Sequence, residues 1–214
     1  MKKRARGVLA ALAGVVALSG ASAAPEPSAA ATEEARARLR EALQNDPDLP
    51  SVAPADYDLT IVVFSDYQCP YCRKLHPALT GLLRDDKKVR IVYRDWPVFG
   101  PASEEAARAA MASRYQGKYA AFNDALMKTN GRITSESIRV AAQAAGVDWQ
   151  RLQADLTTHK AKIDGALARS DQFARIIGLT GTPGLVIGPY LFPGALSEEN
   201  LRTVVKAARQ RSAS

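Results

Sequence analysis

Residues 59–64 (Leu-Thr-Ile-Val-Val-Phe) lead through Ser65-Asp66-Tyr67-Gln68 into Cys69-Pro70-Tyr71-Cys72 and a helical pattern. The apolar, β-branched run reads as a buried strand. Pro70 reads as a first-turn helical residue, because it has no N–H to leave unpaired and a φ already near helical. Cys69 and Cys72 are the only cysteines of the chain, so its thiol chemistry is confined to this strand-to-helix turn. Two intervening residues put both sulfurs on one helical turn, where they can bond reversibly to each other.

The first N–H groups of a helix lack partners within it, and the aligned peptide dipoles place partial positive charge there. A thiolate at Cys69 gains from both, which predicts a lowered pKa for Cys69 and leaves the deeper Cys72 as the resolving thiol. Three other chemistries compete for the pair. Structural zinc needs about four ligands, and only His76 and His159 remain as nitrogen donors. A static disulfide closing so short a loop constrains the unfolded chain little. Copper(I) suits two soft thiolates and is compatible with redox chemistry.

Residues 1–23 read as a cleaved export signal: Lys2, Lys3, Arg4 and Arg6 are basic, residues 8–18 are apolar, and Ala21-Ser22-Ala23 fits a cleavage site. The apolar run is too short to span a bilayer. The formal charge of +7 includes those four basic residues, so a chain starting at Ala24 carries +7 − 4 = +3. That modest excess supports no nucleic-acid partner. Export also places the cysteines in an oxidising compartment, the periplasm of a two-membrane bacterium.

Residues 24–50 read as a linker and an N-terminal helix, the linker being Ala/Pro/Ser-rich over 25–32 and the helix covering 33–44 with Leu39 and Leu43 on one side. The helix from Pro70 runs to about residue 84 with Pro77 inside it. Residues 89–94 then alternate as a strand, predicted parallel to the first across a β-α-β unit. Ser103 is a plausible cap for a helix ending near residue 116. Further helices cover 118–128, a Thr134-capped stretch to 145, an Asp148-capped segment, and 160–178. A hairpin at 184–187 and 190–192 and a Ser197-led helix to about 210 close the chain.

This order, the Cys-Pro-Tyr-Cys turn, Arg94-Asp95-Trp96-Pro97 and Leu179-Thr180-Gly181-Thr182-Pro183-Gly184 together resemble the DsbA-like exported thiol-disulfide oxidoreductases of the thioredoxin superfamily, most of all the ScsC-like branch associated with copper tolerance. The resemblance implies an α/β, thioredoxin-like fold with an inserted helical subdomain. Its thioredoxin-like portion is then split, residues 51–100 lying before the insertion at 101–178 and residues 179–214 after it. The resemblance implies Cys69 as nucleophile, Cys72 as resolving thiol, and a cis Thr182–Pro183 bond facing them, where an extended substrate strand pairs. It implies no cofactor, unfolded or partly folded exported proteins as substrates, and a membrane redox partner, either a DsbB-like oxidase or a DsbD/ScsB-like reductase. A DsbA-like oxidase is the expected activity, with an isomerase or reductase, or a copper(I)-binding module, as alternatives.

Two departures from the family pattern matter. Tyr71 stands where such oxidases often have His, and Val63 stands where many relatives carry a buried acid. Asp66 is expected to be a solvated turn residue, and His76 a satisfied or half-exposed helix histidine rather than a ligand. His159 is expected at the surface. Tyr67 and Trp96 are expected in the core.

Overall fold

In the computed structural model, which describes residues 29–212, every residue of the strand before the cysteines, β2 (Leu59–Ser65), is buried. Burial on both faces explains why its apolar residues from Ile61 to Phe64 follow one another without a polar alternate. One flank pairs in parallel with β3 (Val89–Asp95), with Ser65 opposite Asp95. The other pairs antiparallel with β4 (Gly184–Ile187), which forms a hairpin with β5 (Tyr190–Pro193). A two-residue strand, β1 (Ser51–Val52), adds antiparallel to β3, giving the order β1-β3-β2-β4-β5. The fold is thioredoxin-like with a helical insertion, as expected.

The expected export signal lies outside the described residues, as do residues 25–28 of the expected linker. The N-terminal helix, α1, spans Ala29–Gln44, so residues 29–32 are helical and not linker. Alanine, the best helix former, occupies three of those four positions. Two arginines of β3 hold the far end of α1. Arg94 donates to the carbonyls of Leu43 (3.1 Å) and Ala42 (2.8 Å), and Arg90 donates to that of Gln44 (2.8 Å). These are carbonyls a helix end leaves unpaired, and the cations suit its negative pole.

The helix that carries the cysteines, α2 (Pro70–Asp85), packs against the terminal helix α8 (Glu198–Ser212). The insertion contains α3 (Pro101–Ser113), a 3₁₀ turn at Arg114–Gln116, α4 (Tyr119–Met127), α5 (Ser135–Ala144), α6 (Trp149–Thr158) and α7 (Lys160–Ile176). Thr134 and Asp148 cap α5 and α6 as expected. Ser103 is not a cap. Gly100, at φ 86°, precedes α3, with Pro101 in its first turn, and a side chain at Gly100 would strain that backbone. Gly184 has a different reason to be glycine: a Cβ there would run into the side chain of Leu179.

Successive residues of β3 face opposite layers. Arg90, Val92 and Arg94 face α1 and α7, whereas Ile91, Tyr93 and Asp95 face α2 and α4. The layer between the sheet and α2 holds the cysteines.

Candidate active site

Cys69 is the residue before α2, with extended φ and ψ of −73° and 117°, and its side chain is buried. Its sulfur lies beside the Cys72 thiol and the backbone N–H groups of Tyr71 and Cys72. Hydrogen bonding from Cys72 is the largest cause that brings the Cys69 thiol down to about 5; burial opposes it, and Thr182 and the two amides reinforce it. The same proximity pushes Cys72 upward, and its own burial adds to that. The pair is therefore polarised, one thiol made acidic and the other held protonated. In the thiol form, Cys69 donates to the carbonyl of Thr182 at 3.2 Å. The Thr182–Pro183 bond is cis. The structure thus brings Cys69, Cys72, Thr182 and Pro183 together across 113 residues of sequence.

Beside them opens a groove of about 610 Å³, lined by Tyr71, Lys74, Pro77, Thr182, Pro183 and Leu196 among others. Tyr71 is 63% exposed at its rim. On the insertion side, Val98 and Phe99 are also exposed, and Gln68 donates to the Phe99 carbonyl at 3.2 Å. The Cys69 turn therefore sits in a surface with exposed apolar groups on both sides.

Asp66 is not a solvated turn residue. It is 1% exposed. It accepts from the backbone N–H of Gln68 (2.7 Å), Val98 (2.7 Å) and Phe99 (3.1 Å), and from the Ser103 hydroxyl (2.7 Å). A buried carboxylate with four donors is satisfied. Three of those donors come from residues 98–103, so local turn preference carries no sign of them.

Val63 is buried and apolar, as the sequence shows. A buried acid exists nonetheless, supplied by Asp95 on the neighbouring strand. Both Asp95 oxygens accept from the Tyr119 hydroxyl at 3.1 Å, and the Tyr67 hydroxyl bonds to that of Tyr119 at 3.4 Å. Burial pushes the Asp95 carboxyl up to about 7 despite the hydroxyls' help. Its one sequence signal is the Arg94-Asp95-Trp96-Pro97 stretch, which does not itself reveal that the acid points inward.

His76 is buried, and its Nε2 lies 2.9 Å from Asp124 Oδ1, making it a satisfied helix histidine. His159 is half-buried and stacks on Tyr115, 3.6 Å between ring centroids, rather than standing free at the surface. Tyr67 and Trp96 are buried as expected, and Trp96 Nε1 donates to Asp171 at 3.0 Å. Among the described residues no group of three or more His, Cys, Asp or Glu could hold a metal ion.

The family model of the DSBA-like thioredoxin domain matches residues 60–206. A thioredoxin-like oxidoreductase from Silicibacter pomeroyi DSS-3 is 39% identical, with a TM-score of 0.76, over 80% of this chain and 98% of that one. The thiol-disulfide exchange protein alpha-DsbA2 from Wolbachia pipientis is 28% identical, with a TM-score of 0.76, over 82% of this chain and 95% of that one. The catalytic domain of Proteus mirabilis ScsC is 26% identical, with a TM-score of 0.70, over 83% and 98%. Curated relatives are of another kind: a Na(+)/H(+) antiporter NhaA 1 of Salinispora arenicola is 28% identical over 166 residues, 76% of this chain but 25% of that protein. The chain spans about a quarter of the length of the curated relatives it matches.

Proposed function

Because the chain belongs to the DSBA-like thioredoxin domain family, we propose that it is a thiol-disulfide oxidoreductase that oxidises thiols of exported proteins through Cys69 and Cys72. The observation that carries this reading is the polarised pair: Cys69 brought down to about 5 beside a Cys72 pushed upward. A thiolate of that kind is present at neutral pH and is both a nucleophile and a good leaving group.

In the oxidising direction a substrate thiolate attacks Cys69 Sγ of the Cys69–Cys72 disulfide. The new bond joins substrate sulfur to Cys69, and the electron pair of the old bond leaves on Cys72. A second substrate thiolate then attacks its own sulfur in the mixed disulfide. The substrate leaves oxidised, and Cys69 leaves as a thiolate. Stabilising that thiolate stabilises the reduced enzyme, which makes the oxidised enzyme a stronger oxidant. An extended substrate segment pairs with the backbone at Thr182–Pro183, and its apolar side chains occupy the groove beside Tyr71 and Leu196.

Export by residues 1–23, a periplasmic site of action and a DsbB-like membrane oxidase that restores the disulfide complete the reading. The ScsC resemblance keeps the isomerase or reductase direction, with a DsbD/ScsB-like partner, as the competing reading.

The test is the reduction potential of the Cys69/Cys72 pair in a glutathione buffer. A value near about −120 mV supports the oxidase, and one near about −270 mV overturns it in favour of a reductase. A Cys72→Ser variant should accumulate a substrate-linked disulfide at Cys69, seen by mass spectrometry. Failure to trap any would remove Cys69 from its role.

A further inference from the structure

Cys72 and His76 lie four residues apart on α2 and so share one face. Together with Ser65, Tyr93, Asn123 and Met127 they line a cavity of about 10 Å³, about enough for the centre of one water. Two polar atoms of this wall, Ser65 Oγ and Asn123 Oδ1, are buried and have no hydrogen-bond partner among the described residues. An unpaired buried polar atom is destabilising, because nothing replaces the water contacts it has lost. A single water meeting both of them, with the Cys72 thiol and the His76 ring as further partners, would satisfy the two to four contacts a buried water needs.

The charge beside His76 fixes which nitrogen can work. Burial pushes Asp124 up, but hydrogen bonds from Lys128 (2.6 Å) and His76 outweigh it, and the carboxyl lies below its ordinary range. An ionised carboxylate only accepts, so His76 Nε2 carries the hydrogen and Nδ1 of the neutral ring keeps its lone pair. Asp124 would also stabilise the imidazolium once a proton arrives.

We propose that His76 exchanges a proton with Cys72 through one ordered water held by Ser65 and Asn123. The inference rests on the reading of Cys69 and Cys72 as the reacting pair. When the pair is reduced by substrate, the Cys69–Cys72 bond breaks, Cys72 leaves with its electrons, and the proton passes from imidazolium to water to Cys72. When Cys72 resolves a mixed disulfide, its proton moves the other way, the Cys72 thiolate attacks Cys69 Sγ, and the departing thiol takes the electron pair. Cys72 is the thiol that the site holds protonated, so it is the one that needs an acceptor.

Other titratable groups face this layer. From β3 come Tyr93, whose phenol burial holds neutral, and Asp95, whose oxygens are engaged by Tyr119. From α4 come Tyr119, Asp124 and Lys128, and Cys69 stands at the head of α2. Of the two carboxylates, only Asp124 bonds to His76, and Asp95 does not line the cavity.

The test is stopped-flow measurement, from pH 4.5 to 8.5, of the rate at which Cys72 resolves a preformed Cys69–peptide mixed disulfide, for the full chain and three variants. In His76→Gln the shape of the pH profile should change and the rate at pH 7 should fall about 100-fold, while iodoacetamide modifies Cys69 at the unchanged rate. Asp124→Asn, which keeps the ring but removes the carboxylate bonded to it, should lower the rate by less. An unchanged profile in His76→Gln overturns the inference, as does a change of shape seen only in Asp95→Asn.

A measurement on the unaltered protein guards against a variant that fails to fold. The rate at which Cys72 resolves the mixed disulfide should be lower in D2O than in H2O, because a proton crosses from Cys72 to the ring, and equal rates in the two solvents also overturn the inference. Slow, ordinary-thiol alkylation of Cys69 in the unaltered protein would instead mark failure of the underlying site reading and would remove this inference with it.

Discussion

Arg94 and Asp95 are consecutive residues of one strand, both charged and both buried, and they point into opposite layers. Arg94 meets two carbonyls of α1, and its guanidinium lies 4.6 Å from the Phe173 ring centroid. Carbonyl oxygens and a π face all favour the cation. Burial lowers its pKa to about 10, so it stays charged at any physiological pH. Asp95 meets the Tyr119 hydroxyl, which the Tyr67 hydroxyl backs in turn, and among the described residues no cation is bonded to it. Two neutral hydroxyls do not replace the water that an anion loses, so its pKa rises to about 7. Burial alone does not separate the structural charge from the titrating one; the partners do.

One way to break this contrast is on the Arg94 side. Arg94→Met keeps the bulk and strands the carbonyls of Ala42 and Leu43, and should cost about 3 kcal/mol in urea unfolding. Cys69 alkylation should be unchanged, because the loss falls in the far layer. A variant that lost thiol reactivity along with stability would show the two layers to be coupled.

The Asp95 side should answer to pH. Its folded pKa lies above the unfolded value of about 3.9. The stability it allows is therefore fully present below pH 4 and is lost as pH rises to about 7. Asp95→Asn removes that loss. Relative to the unaltered protein the variant should gain up to about 4 kcal/mol at pH 8 and nothing at pH 4, by urea unfolding at each pH. A constant difference between the two proteins would mean that Asp95 does not titrate in this range.

Tyr119→Phe sharpens the comparison with the smallest effect, about 1 kcal/mol. Losing the hydroxyl removes a group that favours the Asp95 carboxylate. The pH at which stability stops falling should therefore move upward, and a downward move would contradict the role given to Tyr119.

Local chemistry is legible in the sequence, and contacts across the chain are not. The strand-to-helix turn at Cys69 and the caps at Thr134 and Asp148 follow from residues within a few positions of each other, and the parallel β2–β3 pair follows from the strand-helix-strand order of one stretch. β1 does not show because two residues carry no periodicity; its pairing is made by the backbone of β3. Asp66 looks solvated in the sequence because the four donors to its carboxylate, at residues 68 and 98–103, come together only in the fold. Ser103 looks like a cap for the matching reason, its hydroxyl being turned to Asp66. Thr182–Pro183 is legible only through the family resemblance, since nothing local points it at Cys69.

Asp66 has a consequence for engineering. Its donors at Val98, Phe99 and Ser103 are where the chain leaves the five-stranded unit and enters the helices. A chimera that exchanges residues 101–178 with those of a relative removes Ser103 but retains the two amides, leaving the loop under the reactive turn held by fewer threads. Keeping the first turn of α3 from the parent, and cutting only beyond it, would let the helices be traded as a cassette while the redox turn keeps its footing.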